Sequence, residues 1–128
     1  MHEAPTASPL VLVVEDDADA REMYEILLDG SGFRVASANN GLDGIDRARA
    51  LQPQLILMDL SLPSVDGLEA TRRLKSEATT RDIPIVALSG KPIDDPGGKR
   101  LFAATLLKPC LPDDLVAEVR RHVGEVHR

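Results

Sequence analysis

Four short apolar runs of this chain each end on a polar residue, and the endings supply four carboxylates, a hydroxyl and an amine. Leu10 to Val14 runs into Glu15, Asp16 and Asp17; Leu55 to Met58 into Asp59; Ile85 to Leu88 into Ser89; Leu106 and Leu107 into Lys108 and Pro109. Glu15, Asp16 and Asp59 around one lysine and one hydroxyl would make an acidic pocket suited to a divalent cation and a phosphoryl group. Hard cations take oxygen ligands, and a positioned lysine stabilises charge on phosphoryl oxygens. Groups this far apart in sequence meet only if the runs are neighbouring parallel strands whose carboxyl ends share one edge of a sheet. That edge is where open α/β sheets place their sites.

The segments between the runs have the pattern such a sheet requires. After Asp17, which can cap a helix by accepting from its free amides, Ala20, Tyr24, Leu27 and Leu28 recur on one face until Gly30 to Gly32 stop it. Phe33 to Ala38 reads as a further strand, Asn39 to Gly41 as a turn, and Ile45, Ala48 and Leu51 mark a second helix closed by Pro53. A third follows Asp66-Gly67, with Leu68, Thr71 and Leu74 on one side. In the last helix Pro112 suits the first position, and Leu115, Val116, Val119, Val123 and Val126 form an apolar stripe. Strands alternating with helices predict a five-stranded parallel sheet, doubly wound, with right-handed crossovers. The 18 residues between Ser89 and Lys108 fit least well, because they hold Lys91-Pro92, Asp95-Pro96 and Gly97-Gly98. A fourth helix there must be short, over Lys99 to Ala104, since proline and glycine disfavour helix interiors.

Composition narrows the class. The 128 residues suit one domain with a real core. A net charge of -6 argues against a nucleic-acid surface, and Lys99-Arg100 and Arg120-Arg121 are too small a basic patch to reverse that. Cys110 is the sole cysteine, so no internal disulfide and no thiolate metal set is available; a half-buried position is expected for it. The first residues lack the basic start and apolar stretch of a signal peptide, and no run reaches the length of a membrane span, so a soluble, cytoplasmic protein is expected. Residues 1–9 read as a mobile N-terminal tail, and His2, His122 and His127, near the ends and without ligand spacing, as solvent-facing.

These strings carry a resemblance. Val-Val-Glu-Asp-Asp at 13–17, Met-Asp-Leu-Ser-Leu-Pro at 58–63 with Asp66-Gly67, Ala-Leu-Ser-Gly at 87–90 and Leu-Lys-Pro at 107–109, in this order and near this spacing, are similar to the receiver domain of two-component response regulators, the CheY-like superfamily. The resemblance covers residues 10–126 and implies a flavodoxin-like, five-stranded doubly wound domain phosphorylated on aspartate. It implies Asp59 as phosphoacceptor and Glu15 and Asp16 as Mg²⁺ ligands, joined by an oxygen of Asp59 and the backbone carbonyl of Ser61. It further implies Lys108 pairing with a phosphoryl oxygen and Ser89 donating to another, a movement that draws the following loop inward. A cis bond between Lys108 and Pro109 is expected because that bend aims the lysine, while Pro63, Asp66 and Gly67 shape the loop after the acceptor. A sensor histidine kinase or histidine phosphotransfer protein is implied as donor, with a downstream protein as target.

Two departures bear on output. The resemblance places an aromatic ring three residues before the lysine, where this chain has Thr105, and the preceding segment is shorter than the family implies and carries Gly97-Gly98. A remodelled or partly disordered signalling face is therefore expected around the fourth helix, with Phe102 as the candidate stand-in for the ring. No output domain follows the last helix, so action through protein contacts or onward phosphoryl transfer is expected, unless the receiver was excised from a longer protein. Two alternatives compete with a phosphoacceptor module that is not itself a conventional enzyme. A docking scaffold that works without phosphorylation needs none of the five site residues. A haloacid-dehalogenase-like phosphatase wants a second aspartate two positions after the nucleophile, where this chain has Ser61. A dinucleotide site is excluded because the turn after the first strand is acidic and lacks glycine.

Overall fold

The apolar runs are β-branched and leucine-rich, as strands covered on both faces must be. The computed structural model, which describes residues 8–62 and 65–123, forms them into β1 (Leu10–Val14), β3 (Leu55–Asp59) and β4 (Ile85–Ser89), flanked by β2 (Arg34–Ala38) and β5 (Ala104–Leu107). All pairings are parallel and the spatial order is β2-β1-β3-β4-β5. Alternate side chains of the three central strands divide the core. Leu12, Val14, Ile56, Met58 and Ile85 pack under α2 (Gly41–Leu51) and α3 (Gly67–Lys75) through Ile45, Ala48, Ala70 and Leu74. Val11, Val13, Leu55, Leu57, Val86 and Leu88 pack under α1 (Ala18–Gly30) and α5 (Pro112–Val123) through Tyr24, Leu28, Leu115 and Val119. The doubly wound α/β sheet expected from the alternation is the observed one.

Short polar side chains start the helices. Asp17 accepts from the amide of Ala20 at 2.8 Å, Asn40 from Asp43 at 2.9 Å and Asp66 from Glu69 at 2.8 Å. Each satisfies an amide the helix leaves without a partner. At the other end of α1, Gly32 takes a positive φ of 99°, a conformation glycine adopts without steric cost. Ser8 and Pro9, the two described residues of the expected tail, offer their carbonyls to the side chain and amide of Arg34; His2 and the rest of that tail lie outside the described residues, as do Pro63, Val126 and His127.

Three expectations are corrected. The fourth helix, α4, spans Pro96–Lys99 rather than Lys99 to Ala104, and β5 begins at Ala104. The Asp95-Pro96 pair acts as a start signal, since Asp95 accepts from the amide of Gly97 at 3.0 Å and a proline at the first helical position forfeits no hydrogen bond. His122, expected in solvent, is only 8% exposed. It follows Leu115 and Val119 on the inner face of α5 at helical spacing, with Nε2 3.3 Å from a carboxylate oxygen of Glu118. Leu51 is exposed, and Gly41, Gly44, Ile45 and Ala48 form the buried face of α2.

Candidate functional site

Parallel register delivers the strand ends to one place. Asp59 closes β3 opposite Leu88 of β4, and Ser89 closes β4 opposite Leu107 of β5. Two backbone bonds continue the ladder past the strands, from Leu60 N–H to Leu88 O at 3.0 Å and from Lys108 N–H to Ser89 O at 2.8 Å. The loop after each strand therefore leaves the sheet in a fixed direction, and the Lys108-Pro109 bond is cis.

Glu15 and Asp59 are each 2% exposed, while Asp16 lies open at the rim. One carboxylate oxygen from each of the three lies within 4.8 Å of the others. Lys108 Nζ sits 3.2 Å from Asp59 Oδ1 and 3.5 Å from Glu15 Oε1. The amide of Ser61 donates to Asp59 Oδ1 at 3.0 Å, and that of Asp17 to Glu15 Oε2 at 3.1 Å. Ser89 is buried beside them, but its hydroxyl donates to the carbonyl of Lys91 in its own loop, and the amide of Lys91 donates back at 3.3 Å. Asp16, Glu15, Asp59 and Lys108 are thus brought together, Ser61 is tied to Asp59 through its amide, and Ser89 is adjacent with its hydroxyl engaged locally.

Burial of charge sets the electrostatics. Burial pushes the Glu15 carboxyl from 4.5 up to about 7; the Asp17 amide opposes this, the charge and hydrogen bond of Asp59 reinforce it, and Lys108 opposes it more weakly. Burial works to lower the pKa of Lys108, yet the hydrogen bond and charge of Asp59, with Glu15 behind them, outweigh it and hold the ammonium above its ordinary value. One lysine thus faces three carboxylates. The donor set is all oxygen, which suits Mg²⁺ or Ca²⁺ rather than a thiophilic metal, and a divalent cation would bring the cluster close to neutrality. Glu15, Asp16 and Asp59 therefore fit a hard cation by chemistry and by convergence.

Several neighbours escaped the sequence reading. Arg21, one turn into α1, directs Nη1 to the carbonyl of Glu15 at 3.0 Å and to that of Asp16 at 3.5 Å, bracing the turn that carries both acids. Nothing in an arginine on a helix announces this, because its partners are backbone oxygens. Tyr24 lines a surface pocket on the α1 side with Lys108, Pro109 and Cys110. Burial raises its phenol pKa, with Lys108 pulling the other way. Cys110 is half-buried, as expected. On the opposite side of β5, half-buried Thr105 and Phe102 line a groove of about 380 Å³ with Pro92 and Ile93.

Comparison with known proteins bears on the family and the fold. A family model described as the response regulator receiver domain matches residues 11–120. The polar-differentiation response regulator DivK of Brucella anthropi is 40% identical over 79 residues, 62% of this chain and 64% of that protein. The DNA-binding response regulator MtrA of Mycobacterium tuberculosis is 38% identical over 113 residues, 86% of this chain and 48% of that protein. The chain thus spans about half the length of MtrA and less than two thirds of DivK. Among solved structures, the receiver domain of a Pseudomonas aeruginosa sensor histidine kinase, which has a magnesium ion coordinated in its active-site cleft, superposes with a TM-score of 0.82 at 29% identity, covering 92% of this chain and 99% of that one. The chemotaxis protein CheY4 of Vibrio cholerae gives a TM-score of 0.82 at 24% identity over 91% of this chain and 99% of that chain, a likeness of fold. Among the described residues no helix is long and apolar enough to cross a membrane.

Proposed function

The chain belongs to the family of response regulator receiver domains, a signalling module of two-component systems, and from that premise we propose that it accepts a phosphoryl group on Asp59 and signals through protein contacts. The module spans residues 10–126, with 1–9 as its N-terminal tail. The observation that carries this is the convergence of buried Asp59 and Glu15 with Asp16 and Lys108, with Nζ 3.2 Å from Asp59 Oδ1.

Each residue has a task that follows from its position. Asp59 attacks phosphorus in line; an acyl phosphate bond forms as the bond to the donor breaks, and the donor leaves with that electron pair. The Ser61 amide and Lys108 Nζ both hold the Asp59 carboxylate through Oδ1, so Oδ2 is the oxygen that attacks. Lys108 also neutralises charge that gathers on the phosphoryl oxygens during transfer. Glu15, Asp16 and Asp59 would hold Mg²⁺ together with the Ser61 carbonyl. When bound, the cation supplies charge neutralisation that makes a cluster of carboxylates accessible to a phosphoryl dianion. Ser89 begins with its hydroxyl given to Lys91, so donating it to a phosphoryl oxygen breaks that bond and releases the loop after β4, and the loop's rearrangement is the signal. A sensor histidine kinase or a histidine phosphotransfer protein is the donor, in the cytoplasm, and the recipient of the signal is another protein rather than nucleic acid or membrane.

Incubation with acetyl phosphate and Mg²⁺, followed by intact mass measurement, tests the assignment. A gain of one phosphoryl mass that disappears in Asp59→Asn and on chelation of the metal is expected. Uptake that persists in Asp59→Asn refutes Asp59 as acceptor, and no uptake under any condition supports a scaffold instead.

A further inference from the structure

The cluster is completed by a loop, and the loop is seated by residues that hold no ligand atom. After β3 ends at Asp59 the chain passes through Leu60 and Ser61 to Leu62, which is buried, and Val65 and Asp66 stand just before α3. Val65 packs against the α2/α3 side of the core. Its backbone carbonyl lies against Gly41, the first residue of α2, in the space a Cβ there would occupy; the carbonyl carbon and the Cβ of Val65 would be 3.2 and 3.3 Å from such an atom. At the far end of the connection Gly67 gives the same clearance to the carbonyl of Asp59, with Leu60 Cα only 2.7 Å from a Cβ placed there.

Gly41 has no positive φ, so conformational freedom does not explain it. Alanine is the better helix former, so helix propensity does not explain it either. Space is the remaining reason, and the obstacle is backbone, which cannot rotate aside as a side chain would. Resting on the receiver reading above, we propose that Gly41 is a positioning residue for the cation site: the bare α carbon at the start of α2 lets the loop after β3 settle where Ser61 and Asp59 complete the ligand shell. Mg²⁺ tolerates little departure from octahedral geometry, so a side chain at 41 displaces the loop at the expense of cation binding before it unfolds the domain.

Calorimetric titration of MgCl₂ into wild type, Gly41→Ala and Ile45→Val, at a temperature where circular dichroism shows all three folded, tests this. Ile45 lies on the same helix, buried in the core, and its truncation removes a methyl group without adding an atom toward the loop. Gly41→Ala is expected to bind Mg²⁺ about tenfold or more weakly, the range found when groups supporting metal ligands are altered. The amide resonances of Leu60 and Ser61 should also be shifted before any metal is added. Ile45→Val should stay within about twofold of wild type. Equal affinity in Gly41→Ala and wild type overturns the proposal, as does equal weakening in Ile45→Val, which would mean general loosening. A Gly41→Ala chain that folds at no temperature also overturns it, because Gly41 is then a requirement of the fold. Wild type that binds no Mg²⁺ removes the cation site itself, a failure of the functional reading that the wild-type titration separates from the others.

Discussion

Replacing Glu15 with glutamine should stabilise the metal-free protein at neutral to alkaline pH while abolishing its response to Mg²⁺. Burial raises the Glu15 carboxyl from 4.5 to about 7. A carboxyl with a higher pKa folded than unfolded binds its proton more tightly in the native state, so its contribution to stability is present in full below about pH 4.5 and is lost as pH rises through 7. At about 1.4 kcal/mol per pH unit, that displacement amounts to roughly 3 kcal/mol of native-state penalty once Glu15 is ionised. Glutamine resembles the protonated acid: it can still accept from the Asp17 amide and carries no charge to bury. Urea unfolding of Glu15→Gln and wild type with chelator should show the variant ahead by about 2–3 kcal/mol near pH 8 and nearly level with wild type near pH 5. Adding saturating Mg²⁺ at the higher pH should raise wild type by mass action and leave the variant unmoved. A gap of the same size at both pH values, or no gap at the higher one, would refute the view that Glu15 is held ionised against its own desolvation.

Other outcomes follow from single contacts. Lys108→Ala removes the ammonium group that touches the carboxylates of Asp59 and Glu15 and should slow phosphorylation from acetyl phosphate by about 10²-fold or more, read by the time course of intact mass. Arg21→Ala frees the carbonyls of Glu15 and Asp16 and should weaken Mg²⁺ binding by about 10-fold in calorimetry, with little loss of helicity. Asn40→Ala deletes the cap on α2 and should cost about 1 kcal/mol in urea unfolding.

The fold was legible because burial leaves a compositional trace. β1, β3 and β4 are covered by helices on both faces, so their sequences are unbroken apolar runs, and the register of a parallel sheet makes the residue after each run a rim residue. Glu15, Asp59 and Ser89 could be placed at the rim for that reason. Length and burial of α4 left weaker signals: a one-turn helix has no periodicity, and the same Asp-Pro pair that breaks a long helix starts a short one. His122 was misjudged by its nearness to the end of the chain, although its spacing from Leu115 and Val119 already placed it on the inner face of α5. Arg21 and Gly41 were invisible because both act on backbone atoms of other segments, and no side-chain pattern records where a distant carbonyl passes. The hydroxyl of Ser89 could be placed at the rim, but its bond to Lys91 depends on a turn geometry that residue types alone do not specify.

The lone phenol of the chain has a consequence of its own. With no tryptophan and a single tyrosine, ultraviolet emission excited beyond the absorption of the two phenylalanines comes from Tyr24, which shares a surface pocket with Lys108, Pro109 and Cys110 and feels the charges of Lys108, Glu15 and Asp59. Its intensity with and without Mg²⁺ therefore tests, on unlabelled material, whether a change of charge in the acidic cluster reaches the phenol.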